Sequence, residues 1–198
     1  MKRSLIIIIV LAILALILYS FFKGSYNKMV SKDENVKAAW SQVENVYQRR
    51  ADLIPNLVNT VKGAANFEQE TLTKVIEARA KANSIQVDPD KLTPEKMAEF
   101  QAAQGELSQA LGRLMVVSEQ YPQLKANQNF LDLQAQLEGT ENRITVERQK
   151  FNDSTRDYNS YIRSFPTNII AGMFSFAQKP YFESDKGAEN APTVDFSK

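Results

Sequence analysis

Between Val36 and Val61 the chain holds one register without a slip. Val36, Trp40, Val43, Tyr47, Arg50, Ile54, Leu57 and Val61 are separated alternately by four and three residues. A repeat of that period marks a helix that buries one face against other helices. Ala39, Val46 and Leu53 form a second row beside the first, giving a stripe wider than a two-stranded coiled coil uses and suited to the inside of a bundle. Two residues interrupt the pattern. Arg50 puts a charge on the apolar seam. Pro55 lacks the amide that would bond the Ala51 carbonyl, so a kink or a fresh helix start is expected there.

Upstream, the short basic N-terminus (1–4) precedes an uncharged run over 5–22, in which Leu5–Leu18 is wholly apolar. Its length is at the lower edge of what crosses a bilayer core of about 30 Å. Tyr19, Phe21 and Phe22 suit the interface, and Lys23 can snorkel outward. A cleaved signal peptide is the rival reading. No small-x-small pair follows the apolar run and no lipobox cysteine exists, which favours an uncleaved transmembrane anchor. Lys2 and Arg3 on one side nearly balance Lys23, Lys28 and Lys32 on the other. A short basic N-terminus kept inside would place the soluble domain outside the cytoplasm.

Residues 26–182 read as one all-α domain, an elongated antiparallel bundle of about four helices with coiled-coil-like packing. Residues 183–198 are polar, with Gly187 and Pro192, and read as a disordered tail. The first soluble helix is expected from Tyr26, after Gly24-Ser25, to about Asp52. Helical spacing resumes through Leu57, Val61, Ala64 or Ala65, Leu72, Val75 and Ile76 and ends near Ser84. Residues 85–94 form the clearest loop, with Thr93 as N-cap and Pro94 at the first helical position. The next helix carries Met97, Phe100, Leu107, Leu111, Leu114, Val117 and Tyr121 and stops before Pro122. Gly105 and Gly112 share one of its faces, for which close approach of a neighbouring helix is the simple explanation. The longest helix is expected over roughly Asn127–Ser164, with Phe130, Leu137, Ile144, Phe151, Tyr158 and Phe165 recurring every seven residues. Its companion row is polar in the middle, at Thr140, Glu147 and Ser154.

Composition narrows function more than it defines it. With no Cys and no His, the chain has no disulfide, no zinc or haem ligation through those residues, and no Cys nucleophile or Ser-His-Asp triad. No cofactor or metal motif stands out, DxDxDG-type loops included. The net charge of +1 leaves no electrostatic footprint for nucleic acid. A buried polar layer is the one internal feature with charge: Arg50, with Glu141 or Glu147 as the carboxylate it needs. A register-fixing ion pair is the structural reading of that layer, a catalytic carboxylate pair the functional one, and no nearby nucleophile or phosphate cradle supports the latter. The segment from Ile169 to Phe182 is apolar yet too short to span a bilayer. Ile169, Ile170, Met173, Phe174, Phe176, Tyr181 and Phe182 can cover the bundle's own end, lie in the membrane interface, or bury themselves in a second subunit. The sequon Asn152-Asp153-Ser154 falls in mid-helix and carries no weight.

Several stretches carry a resemblance. Ala39-Trp40, the run Gln48-Arg49-Arg50-Ala51-Asp52-Leu53-Ile54-Pro55-Asn56-Leu57-Val58 and Val61-Lys62-Gly63 resemble the hallmark of the LemA family. Tyr26-Asn27, the pattern Tyr158-Asn159-Ser160-Tyr161-Ile162-Arg163-Ser164-Phe165-Pro166 and Tyr181-Phe182-Glu183 extend the likeness over nearly the whole chain. The resemblance implies a single N-terminal membrane helix and a helical bundle, and no catalytic residues. It also implies an association with membrane-bound quality-control metalloproteases. Two expectations follow: a non-enzymatic scaffold that self-associates into a homo-oligomer at the bilayer surface, or an adaptor that regulates a membrane enzyme.

Overall fold

The structure is a computed structural model that describes residues 2–63 and 67–183. Except for Glu183, the tail expected over 183–198 lies outside the described residues, as do Ala64 and Ala65. Among the described residues there are six α-helices and no strand.

Helix α1 (Lys2–Lys62) runs through 61 residues, about 90 Å at helical rise. The helix neither ends after Gly24-Ser25 nor starts afresh at Pro55. Gly24 is absorbed, at a propensity cost of about 1 kcal/mol against Ala. Pro55 is absorbed because the carbonyl it leaves free finds another donor. The Nε–H of Arg79, on α2 (Gln69–Ser84), donates to the Ala51 oxygen at 2.8 Å. The start of α1 is apolar and long enough to cross a membrane, and none of that stretch is buried in the protein. It is a candidate membrane anchor, joined to the bundle as one helix.

From Val36 to Val61 every residue of the seam is buried, Arg50 included. Helix α3 (Pro94–Ser118) begins as the capping residues dictate, the Thr93 hydroxyl accepting the Lys96 amide at 3.2 Å. It pairs with α2 as a hairpin. A short α4 (Pro122–Lys125) turns the chain into α5 (Gln128–Arg163), where the Asn127 side chain caps the Phe130 amide. At 36 residues α5 is shorter than α1, whose anchor and bundle portions are continuous. It lies antiparallel to α1, with Phe151 against Trp40 at 5.5 Å between rings and Glu141 bonded to Arg50. Its row Phe130, Leu137, Ile144, Phe151 and Tyr158 is buried, whereas Phe165 falls beyond the helix end and is 82% exposed. Ile76, 45% exposed, also leaves the expected seam, and Tyr121 stands past the end of α3.

Two apolar clusters result. The membrane-proximal one holds Met29, Val36, Trp40, Phe100, Phe151 and Tyr158; the distal one holds Ile54, Leu57, Leu72, Leu107, Leu114 and Phe130. Arg50 sits between them on α1. Helix α6 (Thr167–Met173) folds under the membrane-proximal cluster through Ile170 and Ala171. The chain then returns along α5 as an irregular strap, 176–183.

Candidate functional site

Arg50 is 1% exposed and makes its hydrogen bonds through both terminal nitrogens. Nη1 donates to Ser108 Oγ at 2.8 Å and to Glu141 Oε2 at 2.9 Å. Nη2 donates to Gln104 Oε1 at 2.6 Å and to the Gln104 carbonyl at 3.3 Å. The guanidinium also lies 5.1 Å from the centre of the Tyr47 ring. A planar fork of donors suits this geometry, because one side chain thereby ties α1 to both α3 and α5. Glu147 does not join the layer. It stands six residues along α5 from Glu141, about 9 Å down the axis, and pairs with Lys150 at 2.8 Å. Arg148 instead donates to the Glu183 carbonyl at 2.8 Å.

The strap is held by side chains that read its backbone. Asn159 donates to the Lys179 carbonyl at 2.8 Å and accepts the Lys179 amide at 2.9 Å. Seven residues earlier, Asn152 repeats the pattern on Phe182, donating at 3.0 Å and accepting at 2.8 Å. Each carboxamide thus supplies the donor and acceptor that a neighbouring strand would supply, so the backbone is paired without a sheet. The side chain of Phe182 fills a box of rings, stacked on Trp40 at 5.8 Å and edge-to-face with Phe151 at 5.3 Å, with Arg148 over its face. Lys179 reaches Asp33 at 2.8 Å and the Pro89 carbonyl at 3.1 Å. Beside it, Lys37 bonds Asp90, Glu34 and Asp33, and these carboxylates, Asp90 first, hold its ammonium above the ordinary lysine range. The Tyr158 hydroxyl donates to the Ala177 carbonyl at 3.0 Å. Burial pushes that phenol up to about 12, and the charge on Asp33 adds to the effect.

Helix α3 is fully packed only on its inner side. A groove of about 750 Å³ runs past it, lined by Ala98, Ala102, Gly105 and Ser108 on α3, Arg50 on α1 and Glu141 on α5. A Cβ placed on Gly105 or Gly112 would meet nothing within 4 Å. The close helix approach expected at these glycines is therefore not made among the described residues. Ala98, Ala102, Gly105, Gln109, Gly112 and Val116 step by four and three along this outer side, half-exposed at Gly105 and exposed at the rest.

Of the residues singled out in the sequence, Arg50 and Glu141 meet and Glu147 stands apart. Ile170 and Phe182 are buried and Phe176 packs on the core, while Ile169, Met173, Phe174 and Tyr181 stay exposed. The strap's clamps, Asn152 and Asn159, were not foreseen. Their signal is that each follows a residue of the heptad row, Phe151 and Tyr158, at the same seven-residue spacing. Among the described residues no group of three or more Asp or Glu is placed to hold a metal ion.

Comparison with known proteins gives a consistent set. The model of the LemA family matches residues 39–196. Protein LemA of Metamycoplasma hominis is 26% identical over 170 residues, 86% of this chain and 74% of that protein. Magnetosome protein MamQ 2 of Paramagnetospirillum magneticum is 28% identical over 213 aligned positions, 97% of this chain and 76% of that protein. Magnetosome protein MamQ of Magnetospirillum gryphiswaldense is 28% identical over 190 positions, 85% of this chain and 68% of that protein.

Proposed function

The chain belongs to the LemA family, and from that premise we propose that it is a non-enzymatic, membrane-anchored scaffold that self-associates through the outer seam of α3. One observation carries this reading: the seam of Ala98, Ala102, Gly105, Gln109, Gly112 and Val116 keeps the period of a buried helix face on a side that the described residues leave open. Two glycines in mid-helix cost about 1 kcal/mol each against Ala. Packing among the described residues does not account for them, whereas close approach of a second helix would. The same face on a second copy gives a self-complementary contact, as a two-fold interface requires. Gln109 is the polar residue that would fix its register.

The anchor adds to the reading. Holding both copies on one membrane raises their effective concentration, so a modest seam is enough. The relatives carry two kinds of name, LemA and magnetosome protein. One fold serving in different settings fits a structural service better than a shared reaction. The soluble bundle of this scaffold is placed outside the cytoplasm, on the side away from the basic N-terminus.

Because the chain has no cysteine, A102C in the otherwise native full-length protein gives a single reactive site. A short bis-maleimide added to native membranes is expected to join two copies through residue 102, while Q149C on α5 gives no such product. Absence of a homodimer at 102 would reject the seam. A product of other mass would favour an adaptor bound to a different membrane protein.

A further inference from the structure

We propose that the turn between α5 and α6 is a second membrane contact, a foot that inserts Phe165, Ile169, Met173 and Phe174 into the headgroup layer of the bilayer that holds the anchor. The first observation is position. The uncharged run of α1 ends at Phe22, and Tyr26 follows four residues later, about 6 Å further along the helix. The headgroup layer of one leaflet is about 5–8 Å deep, so Tyr26 lies within it. The Phe174 ring centre is 4.8 Å from that of Tyr26, and Phe176 is 5.7 Å away. Trp40 on α1 faces Phe151 on α5. Counting fourteen residues down α1 and fourteen up the chain from that pair brings Phe165 level with Tyr26.

The second observation is exposure. Phe165, Met173, Ile169 and Phe174 are 82, 65, 54 and 52% exposed, while Ile170 and Ala171 of the same segment are buried in the bundle. The segment therefore has an inner apolar side that the protein covers and an outer apolar side that it does not. Ile169 and Met173, four residues apart, share one face of α6, and Phe165 stands in the turn before it. An outward apolar face beside polar backbone turns is the pattern of an interfacial element rather than a spanning one.

The third observation is charge. Residues 1–32 and 158–182 contain no Asp or Glu, and the fold brings these two stretches together at the anchor's end. Lys23, Lys28 and Arg163 are exposed there, and Lys28 lies 5.0 Å from the Tyr161 ring centre. An acid-free, basic rim around exposed aromatic residues matches a surface of anionic lipid, where each nearby Lys or Arg adds to binding. The foot gives the long α1 helix a second point of attachment, which fixes the tilt of the bundle over the membrane.

The inference rests on the anchor being inserted, and the test separates the two. Single cysteines at Leu14, Phe165, Met173 and Val116 of the full-length chain carry a fluorophore, in nanodiscs of phosphatidylglycerol and phosphatidylethanolamine. Lipids with a quencher near the headgroup should quench labels at 165 and 173 and spare 116, and lipids with a quencher deep in the chains should quench 14. With zwitterionic lipid alone, quenching at 165 and 173 should fall while that at 14 stays. Labels at 165 and 173 open to an aqueous quencher while 14 is quenched by lipid would overturn the foot and leave the anchor. Protection of 165 from both quenchers would mean that a second copy covers it, and also overturns the foot. A label at 14 open to water would overturn both.

Discussion

At Pro55 the helix loses one backbone donor, and Arg79 supplies it from the neighbouring helix. The proline's deficit is visible in the sequence, since the missing amide and its orphaned carbonyl are fixed by spacing. The rescuer is not, because Arg79 lies 28 residues away and only the α1–α2 packing aims it. R79A should leave the buried Ala51 carbonyl unpaired and cost about 1–3 kcal/mol. In a P55A background the amide returns and most of that cost should vanish, a coupling that denaturant unfolding of the four proteins measures. Equal losses in both backgrounds would mean that Arg79 acts through something other than this bond. Arg50 was legible as a charge on an apolar seam, and the need for a carboxylate followed. The choice between Glu141 and Glu147 depends on the register of α5 against α1, which periodicity alone does not set. E141A removes the carboxylate from a guanidinium still bonded to Ser108 and Gln104 and should cost about 1–3 kcal/mol. Alkaline pH probes another residue. Tyr158 has its folded value raised from 10.0 to about 12, so its contribution is whole below the first value and is lost as pH climbs through the second. Lys37, also raised, loses its contribution in the same direction. Thermal unfolding should hold steady from neutral to about pH 9 and fall above about pH 10, less steeply in Y158F.

Among the elements, α3 and the strap differ most from what patterning implies. The inner row of α3 was plain, yet its glycines read as an internal contact, and they face open space instead. Sequence periodicity reveals which faces are apolar or small, not which partner covers them. G105A should stabilise the bundle by about 1 kcal/mol through helix propensity, with no clash to offset the gain. The strap was legible as an apolar segment but not as an extended one. Its order comes from Asn152 and Asn159, side chains that no apolar pattern includes. The double variant N152L/N159L should free the strap and unstack Phe182 from Trp40. Trp40 is the single tryptophan, so its emission should shift to the red with little change in helicity. An unshifted spectrum would show that the ring box holds Phe182 without the clamps.

For the whole molecule, a single helix from the candidate anchor to the distal core makes the bundle a direct extension of that apolar stretch. The break expected after Gly24-Ser25 would have produced a domain on a leash; the continuous α1 produces a mast. That continuity orients the outer seam of α3, so copies on one membrane present the same face at the same height. Self-association through that seam is tested by the mass of the full-length protein in lipid nanodiscs, beside the variant A102L/G105L, which enlarges an exposed and a half-exposed side chain of α3. A discrete homo-oligomer is expected for the native chain and a folded monomer for the variant. A monomer in both, or the same oligomer in both, would contradict it.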